Sequence, residues 1–534
     1  MFPQSAEPTI FSVRRFSRFH KTVSFFDRAF MLLAVVFLIG CMTARAPVPN
    51  DDLAGMPTPE REFRGVWIAT VANIDWPSAQ GLPSDEQQAE LIALFDRAVA
   101  LNLNTVILQV RPAADALYAS ALEPWSEYLT GTMGQAPEPF YDPLAFAVEE
   151  AHARGLELHA WFNPYRARHP TGRSPVAAQH VSQTQPEVVR TYGTHRWLDP
   201  GEPAAEDHSV AVILDVVRRY DIDGVHLDDY FYPYQEKNAA GHNIPFPDAA
   251  SWQRAVEAGE TRSRDDWRRH NVDRLIERLY REIKQEKPWV KFGISPFGIW
   301  RPGHPRQIKG FDAFAKIYAD SRKWLHNGWL DYFSPQLYWK IEEPTLSYPV
   351  LLAWWDEQNQ KGRHLWPGNF TSRICRPDQG DWNPSEILEQ IRLTRQRPGA
   401  TGNVHFSMIC LMQNRRRIAD QLAADVYARP ALVPASPWLD ETPPGRPTVV
   451  FQQDEQPSVA MTPASGETAW LWIVRARFGD AWTTAIVPGR QTTHAFDPAA
   501  APDLVTVAAV DRLGNEGPVA IVRKPVRRER ESGW

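Results

Sequence analysis

Three cysteines in 534 residues are too few for a disulfide-built scaffold, so packed cores must hold this chain together. Charge of one sign is also missing. The 58 basic and 64 acidic residues are well mixed, the net charge is -6, and no long basic run crosses the body of the chain, which argues against nucleic acid as a partner. No glycine-rich phosphate loop follows the first predicted strand, so no nucleotide fingerprint is present. The apolar run at residues 30–40, FMLLAVVFLIG, falls well short of the roughly 20 residues a spanning helix takes. Aromatic residues, by contrast, are plentiful at 11%, with 21 tryptophans. Such rings fill large cores, and they also stack on the flat faces of sugars.

The amino terminus reads as a targeting segment. Arg14, Arg15, Arg18, Lys21 and Arg28 precede the apolar run, which is the order of a signal peptide. Leu38, Ile39, Gly40 and Cys41 then resemble the bacterial lipobox, in which cleavage before the cysteine leaves Cys41 lipidated. Met42 stands where an inner-membrane retention signal favours Asp, so the resemblance implies an outer-membrane lipoprotein facing the periplasm. The expected organisation is a signal peptide over 1–40, then lipidated Cys41 with a flexible tether to residue 60.

From residue 63 a short apolar run followed by a helical stretch recurs about eight times. The runs fall at 63–71, 105–112, 156–165, 224–232, 290–297, 331–339, 364–370 and 403–408. Helices are predicted between them, for example at 84–101, at 142–154 with Asp142-Pro143 as N-cap and first residue, and at 265–286. Strands alternating with helices imply a parallel sheet, and eight units predict an α/β fold, a (β/α)8 TIM barrel over 61–430. The helix-to-strand turns are terse, while the strand-to-helix excursions at 166–207 and 235–264 are long, as expected for the walls of a cleft. A Pro-rich linker follows at 431–445. Residues 446–525 alternate like β structure, and 505–518, VTVAAVDRLGNEGP, resemble the last strands of a fibronectin type III-like β-sandwich. A charged tail occupies 526–534.

The chain is organised around residues 221–234, DIDGVHLDDYFYPY. Strand side chains alternate, so Val225 and Leu227 share one face and His226 and Asp228 the other. The apolar face belongs against helices, which points His226 and Asp228 into the barrel. The same rule turns Gln109, Arg111, His159, Trp161, Asn163, Ser334, Gln336, Tyr338, Asn403, His405 and Ser407 inward. The first and seventh strands do not sort by it. A polar barrel mouth implies a wet ligand site rather than packing alone.

Two carboxyl groups flanking a glycosidic bond suffice for hydrolysis, one as proton donor and one as nucleophile or base. Asp228 is the nucleophile candidate. Asp229 and Asp115 lead the donor candidates, ahead of Asp75, Glu342 and Glu343. Gln109, Arg111, Asn163, Tyr230 and Gln336 could bind hydroxyl or acetamido groups, and Trp161 and Trp339 could stack on sugar rings. Tyr165, His226 and Tyr338 complete the candidate substrate-binding set. No cofactor is expected. A metal-dependent deacetylase built on His159, His226 and His405 with Asp228 is one alternative. A non-catalytic glycan-binding lipoprotein is another.

Residues 63–77 (FRGVWIATVANIDWP), 109–118 (QVRPAADALY), 163–166 (NPYR), 224–233 (GVHLDDYFYP), 294–300 (ISPFGIW) and 334–339 (SPQLYW) together resemble the glycosyl hydrolase-like 10 lipoproteins, in the right order over roughly 60–430. The resemblance implies a glycoside-hydrolase barrel near the α-amylase and α-galactosidase clans, with the fourth-strand aspartate, here Asp228, as nucleophile. It also implies a cell-wall substrate: peptidoglycan glycan strands stripped of peptide. The fifth strand ends in Ser295-Pro296-Phe297 without a carboxylate, so that clan's donor has no counterpart here.

Overall fold

The structure, a computed structural model, describes residues 53–525; the expected signal peptide, Cys41 and charged tail lie outside the described residues. A compact unit begins at Pro57. Among the described residues no helix is long and apolar enough to cross a membrane.

Eight parallel strands form the centre of this unit: β1 (Phe63–Ile68), β2 (Thr105–Arg111), β3 (Glu157–Phe162), β4 (Gly224–Leu227), β5 (Lys291–Ile294), β6 (Tyr332–Phe333), β7 in two pieces (His364–Leu365 and Gly368–Asn369) and β8 (Gly402–His405). A helix follows each in turn: α1 (Ser84–Ala100), α2 (Pro143–Ala153), α3 (Pro203–Arg219), α4 (Arg264–Glu286), α5 (Ser321–Asn327), α6 (Tyr348–Gln358), α7 (Pro384–Arg395) and α8 (Ile418–Ala424). Strands pair in chain order, and β8 pairs back to β1. Closure depends on β7. His364–Leu365 pairs with β6, Gly368–Asn369 pairs with β8, and between them Trp366 N donates to Phe333 O (2.9 Å) while Pro367 O accepts from Val404 N (3.0 Å). Proline has no N–H to donate, but its carbonyl still serves the neighbouring strand. The predicted (β/α)8 topology is what the chain adopts.

The helix starts follow local chemistry. The Asp142 carboxylate accepts from Leu144 N and Ala145 N ahead of Pro143, and the Ser263 hydroxyl accepts from Asp266 N at the start of α4.

Inside the barrel Phe63, Trp67, Ile107, Trp161, Tyr332, Trp366 and Val404 form one apolar cluster. Val404 is therefore an inward residue, and Asn403, His405 and Ser407 face the other way, against the parity expectation. Asn403 Nδ2 donates to Asn369 Oδ1 (2.9 Å) and to Thr394 Oγ1 on α7 (3.3 Å), and His405 contacts Tyr427 and Thr371 hydroxyls at 3.0 and 2.8 Å. The rule assumed an apolar helix layer. Around β8 that layer carries hydroxyls and amides, so the polar face of the strand goes outward.

The N-terminal end of the barrel is plugged. Residues 431–438, expected as a loose linker, are largely buried. Ala431–Leu432 pairs with Glu60–Arg61, so the expected tether ends in a strand; His364 Nε2 meets Ser436 Oγ (3.0 Å), and Trp438 Nε1 donates to Asp331 (2.8 Å). Beyond the plug lie a three-stranded antiparallel sheet of β9 (Thr448–Gln452), β10 (Ser458–Thr462) and β13 (Thr493–Ala495), and a four-stranded one of β11 (Leu471–Phe478), β12 (Ala481–Pro488), β14 (Leu504–Val510) and β15 (Ala520–Arg523). Phe451, Val459, Met461, Trp472, Val474 and Val507 fill a core shared by the two sheets. The alternate residues of β11, Leu471 and Ile473, pack with Leu432 of the plug.

Candidate active site

A cleft of about 320 Å³ opens at the C-terminal ends of the strands. It is lined by Trp67, Gln109, Trp161, Arg166, His169, Asp228, Asp229, Tyr230, Tyr234, Ser295, Phe297, Gln336, Tyr338 and Phe406, among others. β4 stops at Leu227, and because Asp228 and Asp229 have left the pleat, both reach the same cleft instead of alternating across a sheet.

A directed set of hydrogen bonds holds Asp228. Gln109 Oε1 receives Thr70 N (3.0 Å) and Val71 N (2.9 Å), which turns its Nε2 to donate to Asn163 Oδ1 (2.6 Å). Arg166 Nη1 donates to the same oxygen (3.1 Å). Asn163 is thereby left to present its Nδ2 to Asp228 Oδ2, which also accepts from Trp161 Nε1 at 3.1 Å. Asp228 Oδ1 accepts only a long bond from Tyr230 N (3.3 Å). Asp229 Oδ2 accepts from the Tyr234 hydroxyl.

Both carboxyls lie above their ordinary range. For Asp228 the main cause is burial, opposed by the Arg166 charge and reinforced by the neighbouring Asp229 carboxylate. For Asp229 it is again burial, opposed by the Tyr234 and Gln336 hydrogen bonds. Two buried acids side by side beside one guanidinium form a site that disfavours ionising both carboxyls at once. Arg166 is only 4% exposed and lies 4.3 Å over the Tyr230 ring, and it depresses the cleft residue His169 to about 4, second to burial as a cause.

His226 lies beneath the floor. Trp67 Nε1 donates to His226 Nε2 (3.0 Å), so its Nδ1 carries the hydrogen toward Tyr332 Oη (2.9 Å), whose own hydroxyl meets His159 Nδ1 (2.8 Å). His159 Nε2 continues to Glu157 (3.1 Å), and Lys291 closes the column on that carboxylate (2.8 Å). Burial holds His226 well below its usual range. His159 and His226 are committed to this column and His405 faces the helix layer, so the three histidines of the metal reading do not converge.

Other candidates lie away from the cleft lining. Arg111 forms a buried ion pair with Glu123 and donates from Nη1 to Asn163 O, a scaffold role. Asp115 is 1% exposed and accepts from Ala113 N (2.8 Å), and burial lifts it to about 6. Asp75 ties Ala69 N to Ser407 Oγ and Ile409 N, joining the ends of β1 and β8. Tyr165 is buried in the helix-side core, and Trp339 packs behind Phe297 at 5.5 Å. Glu342 and Glu343 are on the loop after β6, outside the lining.

Arg166, His169, Trp67, Tyr234, Phe297 and Phe406 were not predicted as site residues. Arg166 closes the NPYR run that starts at Asn163, and Tyr234 ends DDYFYPY, so their spacing from named candidates was the available signal. Trp67 and Phe406 had none, since β1 did not sort by polarity and β8 sorted the wrong way.

The sequence profile of the glycosyl hydrolase-like 10 family matches residues 62–383. The chain is 41% identical over 481 residues to glycosyl hydrolase YngK of Bacillus subtilis (strain 168), covering 86% of this chain and 92% of that protein. It is 34% identical over 389 residues to glycosyl hydrolase DigH of Escherichia coli (strain K12), covering 67% of this chain and 86% of that one. Among solved structures, the PgaB (BpsB) glycoside hydrolase domain from Bordetella bronchiseptica aligns with a TM-score of 0.44 at 14% identity, over 68% of this chain and 98% of that one. On the profile match and these two relatives, the chain belongs to the glycosyl hydrolase-like 10 family and is a glycoside hydrolase.

Proposed function

We propose that this glycosidase cleaves peptide-stripped glycan strands of bacterial peptidoglycan, with Asp228 as nucleophile and Asp229 as acid and base. One observation carries the assignment: two consecutive carboxyls share an aromatic-lined cleft, and they differ in the donors they face. Asp228 Oδ2 accepts from two N–H donors, which favour its ionised form. Asp229 faces a hydroxyl that can reverse its direction, so it can carry the proton of the pair.

In the first step Asp228 Oδ1, the less encumbered oxygen, bonds to the anomeric carbon. The bond to the departing sugar breaks, and Asp229 gives its proton to the leaving oxygen. In the second, Asp229 takes a proton from water, whose oxygen displaces Asp228. The rings of Trp67, Trp161, Tyr230 and Tyr338 supply faces for sugars along the cleft. The substrate reading rests on the family resemblance.

The same reading places the enzyme on the outer membrane, held in the periplasm through lipid on Cys41, with residues 446–525 as a fibronectin type III-like sandwich. The lipobox-like residues and the shared core of the two sheets support it.

The test is to incubate the chain, Asp228→Asn and Asp229→Asn with peptide-free strands and identify released fragments by mass spectrometry. Fragments from the parent alone are expected. Fragments from Asp228→Asn at the parental rate overturn the nucleophile assignment. Loss of radiolabelled fatty-acid incorporation in Cys41→Ala tests the anchor.

A further inference from the structure

The loops leaving β7 and β8 carry charge that the proposed mechanism leaves unused. Residues 371–383 and 413–420 hold five arginines, Arg373, Arg376, Arg415, Arg416 and Arg417, against three aspartates, Asp378, Asp381 and Asp420. Arg376 pairs with Asp378, Arg416 with Asp381, and Arg417 with Asp420. Arg415 is held by neutral oxygens instead, Gln413 Oε1 (2.8 Å) and Ser372 O (3.1 Å). The two segments therefore present a surplus of positive charge at the end of the barrel where the cleft opens.

Aromatic contacts connect this charge to the cleft. Tyr338 and Phe406 line it, and Phe370 packs on both, at 4.5 and 5.8 Å. The Arg373 guanidinium lies 4.8 Å over Phe370 and 6.0 Å from the Trp382 ring, and Arg416 Nη1 donates to Trp382 O at 3.3 Å. Uncommon backbone conformations are concentrated here too. Of ten non-glycine residues with positive φ among the described residues, Cys375, Asp381, Asn414, Arg416 and Arg417 lie on these two loops. Uncommon backbone of this kind persists where surrounding structure holds it, and it clusters at ligand-binding positions.

We propose that these loops form a carboxylate-recognising ledge that extends the cleft and takes the acidic groups of a polysaccharide whose repeat carries a free carboxylate. The ledge rests on the substrate reading above and deepens it, because an amide-linked peptide, once hydrolysed away, leaves its carboxylate on the sugar. Arginine suits planar carboxylates through paired N–H donors, and a sugar ring beside the charges finds the part-exposed Phe370.

The test compares peptide-free strands with the same strands after carbodiimide-mediated amidation of their carboxylates. The full chain, Arg415→Gln/Arg416→Gln and, because Arg415 also supports a loop, Arg416→Gln alone are each assayed for KM and for equilibrium retention of both glycans. For the parent, amidation is expected to raise KM and weaken retention about tenfold, the scale of one or two charge-assisted contacts. The double variant should show that weakening on native strands and no further effect of amidation, with the single variant between. Equal responses to amidation in parent and double variant overturn the ledge. If the parent releases no fragments from either glycan, the substrate reading fails separately. Retention then decides the ledge alone: preference for carboxylated strands in the parent, lost in the double variant, supports it, and equal retention overturns it.

Discussion

Asp223 and Asp228 bracket the four-residue strand β4, and both are buried, at 1% and 4% exposure. Each accepts three hydrogen bonds or close polar contacts, yet their acidities move in opposite directions. Asp223, at the plugged end, receives Arg512 Nε (2.8 Å), His152 Nε2 (2.9 Å) and Leu158 N (2.8 Å). Burial raises its pKa, but the Arg512 and His152 charges and hydrogen bonds more than offset that, and the net shift is downward. Asp228, at the open end, receives neutral N–H groups from Trp161, Asn163 and Tyr230, and its net shift is upward. Burial sets the cost in both cases, and the charge of the donors decides whether the acid ends below or above its ordinary range.

The sharpest way to break this contrast is Asp228→Asn. Loss of the proposed nucleophile should lower kcat on peptide-free strands by about 10³-fold or more. Stability should stay level or rise at neutral pH, measured by thermal unfolding, because a poorly compensated buried charge is removed. The pH dependence carries the sign. Asp228 has a folded pKa above the unfolded value of about 3.9. Its burial therefore costs stability increasingly as pH rises from about 4 towards neutrality, and the substitution should flatten that slope.

Next in size is Asp229→Asn, expected to cost about 10² to 10⁴-fold in kcat on natural strands. The loss should be much smaller on an aryl glycoside whose leaving group needs no proton, and the alkaline limb of the parental pH profile should disappear.

Arg512→Gln probes the other end of the strand. It leaves Asp223 buried with His152 as its remaining side-chain partner, which should cost about 3 kcal/mol in denaturant unfolding while activity per folded molecule is unchanged. Asp223 has a lowered folded pKa, so its stabilisation is complete above the unfolded value and is lost as pH falls through the folded one. The variant should unfold at a higher pH on acid titration.

The smallest expected effect is Tyr234→Phe. Losing the donor to Asp229 removes an interaction that holds its pKa down, so the alkaline limb should move upward and kcat should fall by a factor of a few.

Much of the scaffold was legible because it follows from local rules. The start of α2 is written in Asp142-Pro143, and the end of α1 falls within one residue of expectation. Inward parity read Gln109, Trp161, Asn163, His226 and Asp228 correctly, since β2, β3 and β4 pack against helices that are apolar where they meet the sheet. It failed on β8, where Thr394 and Tyr427 supply polar partners outside the barrel. Asp115 read as a mouth residue from its position after β2, but the chain turns it inward to receive Ala113 N. Residues 431–438 read as a linker from their prolines, and only tertiary packing explains their burial: Val433 joins the cluster inside the barrel, and Leu432 packs with Leu471 and Ile473.

The sequence by itself determined the repeating β/α units, the carboxylate pair after the fourth strand and the family, because each is carried by spacing and residue type along the chain. Tertiary structure alone decided which carboxylates share a cleft, which way Asn163 turns its amide, and why Asp223 and Asp228 differ. Those outcomes depend on Arg512, almost 300 residues from Asp223 along the chain, and on Gln109 and Trp161 from neighbouring strands. Electrostatic environment is set by what is close in space, and proximity of that kind is absent from sequence order.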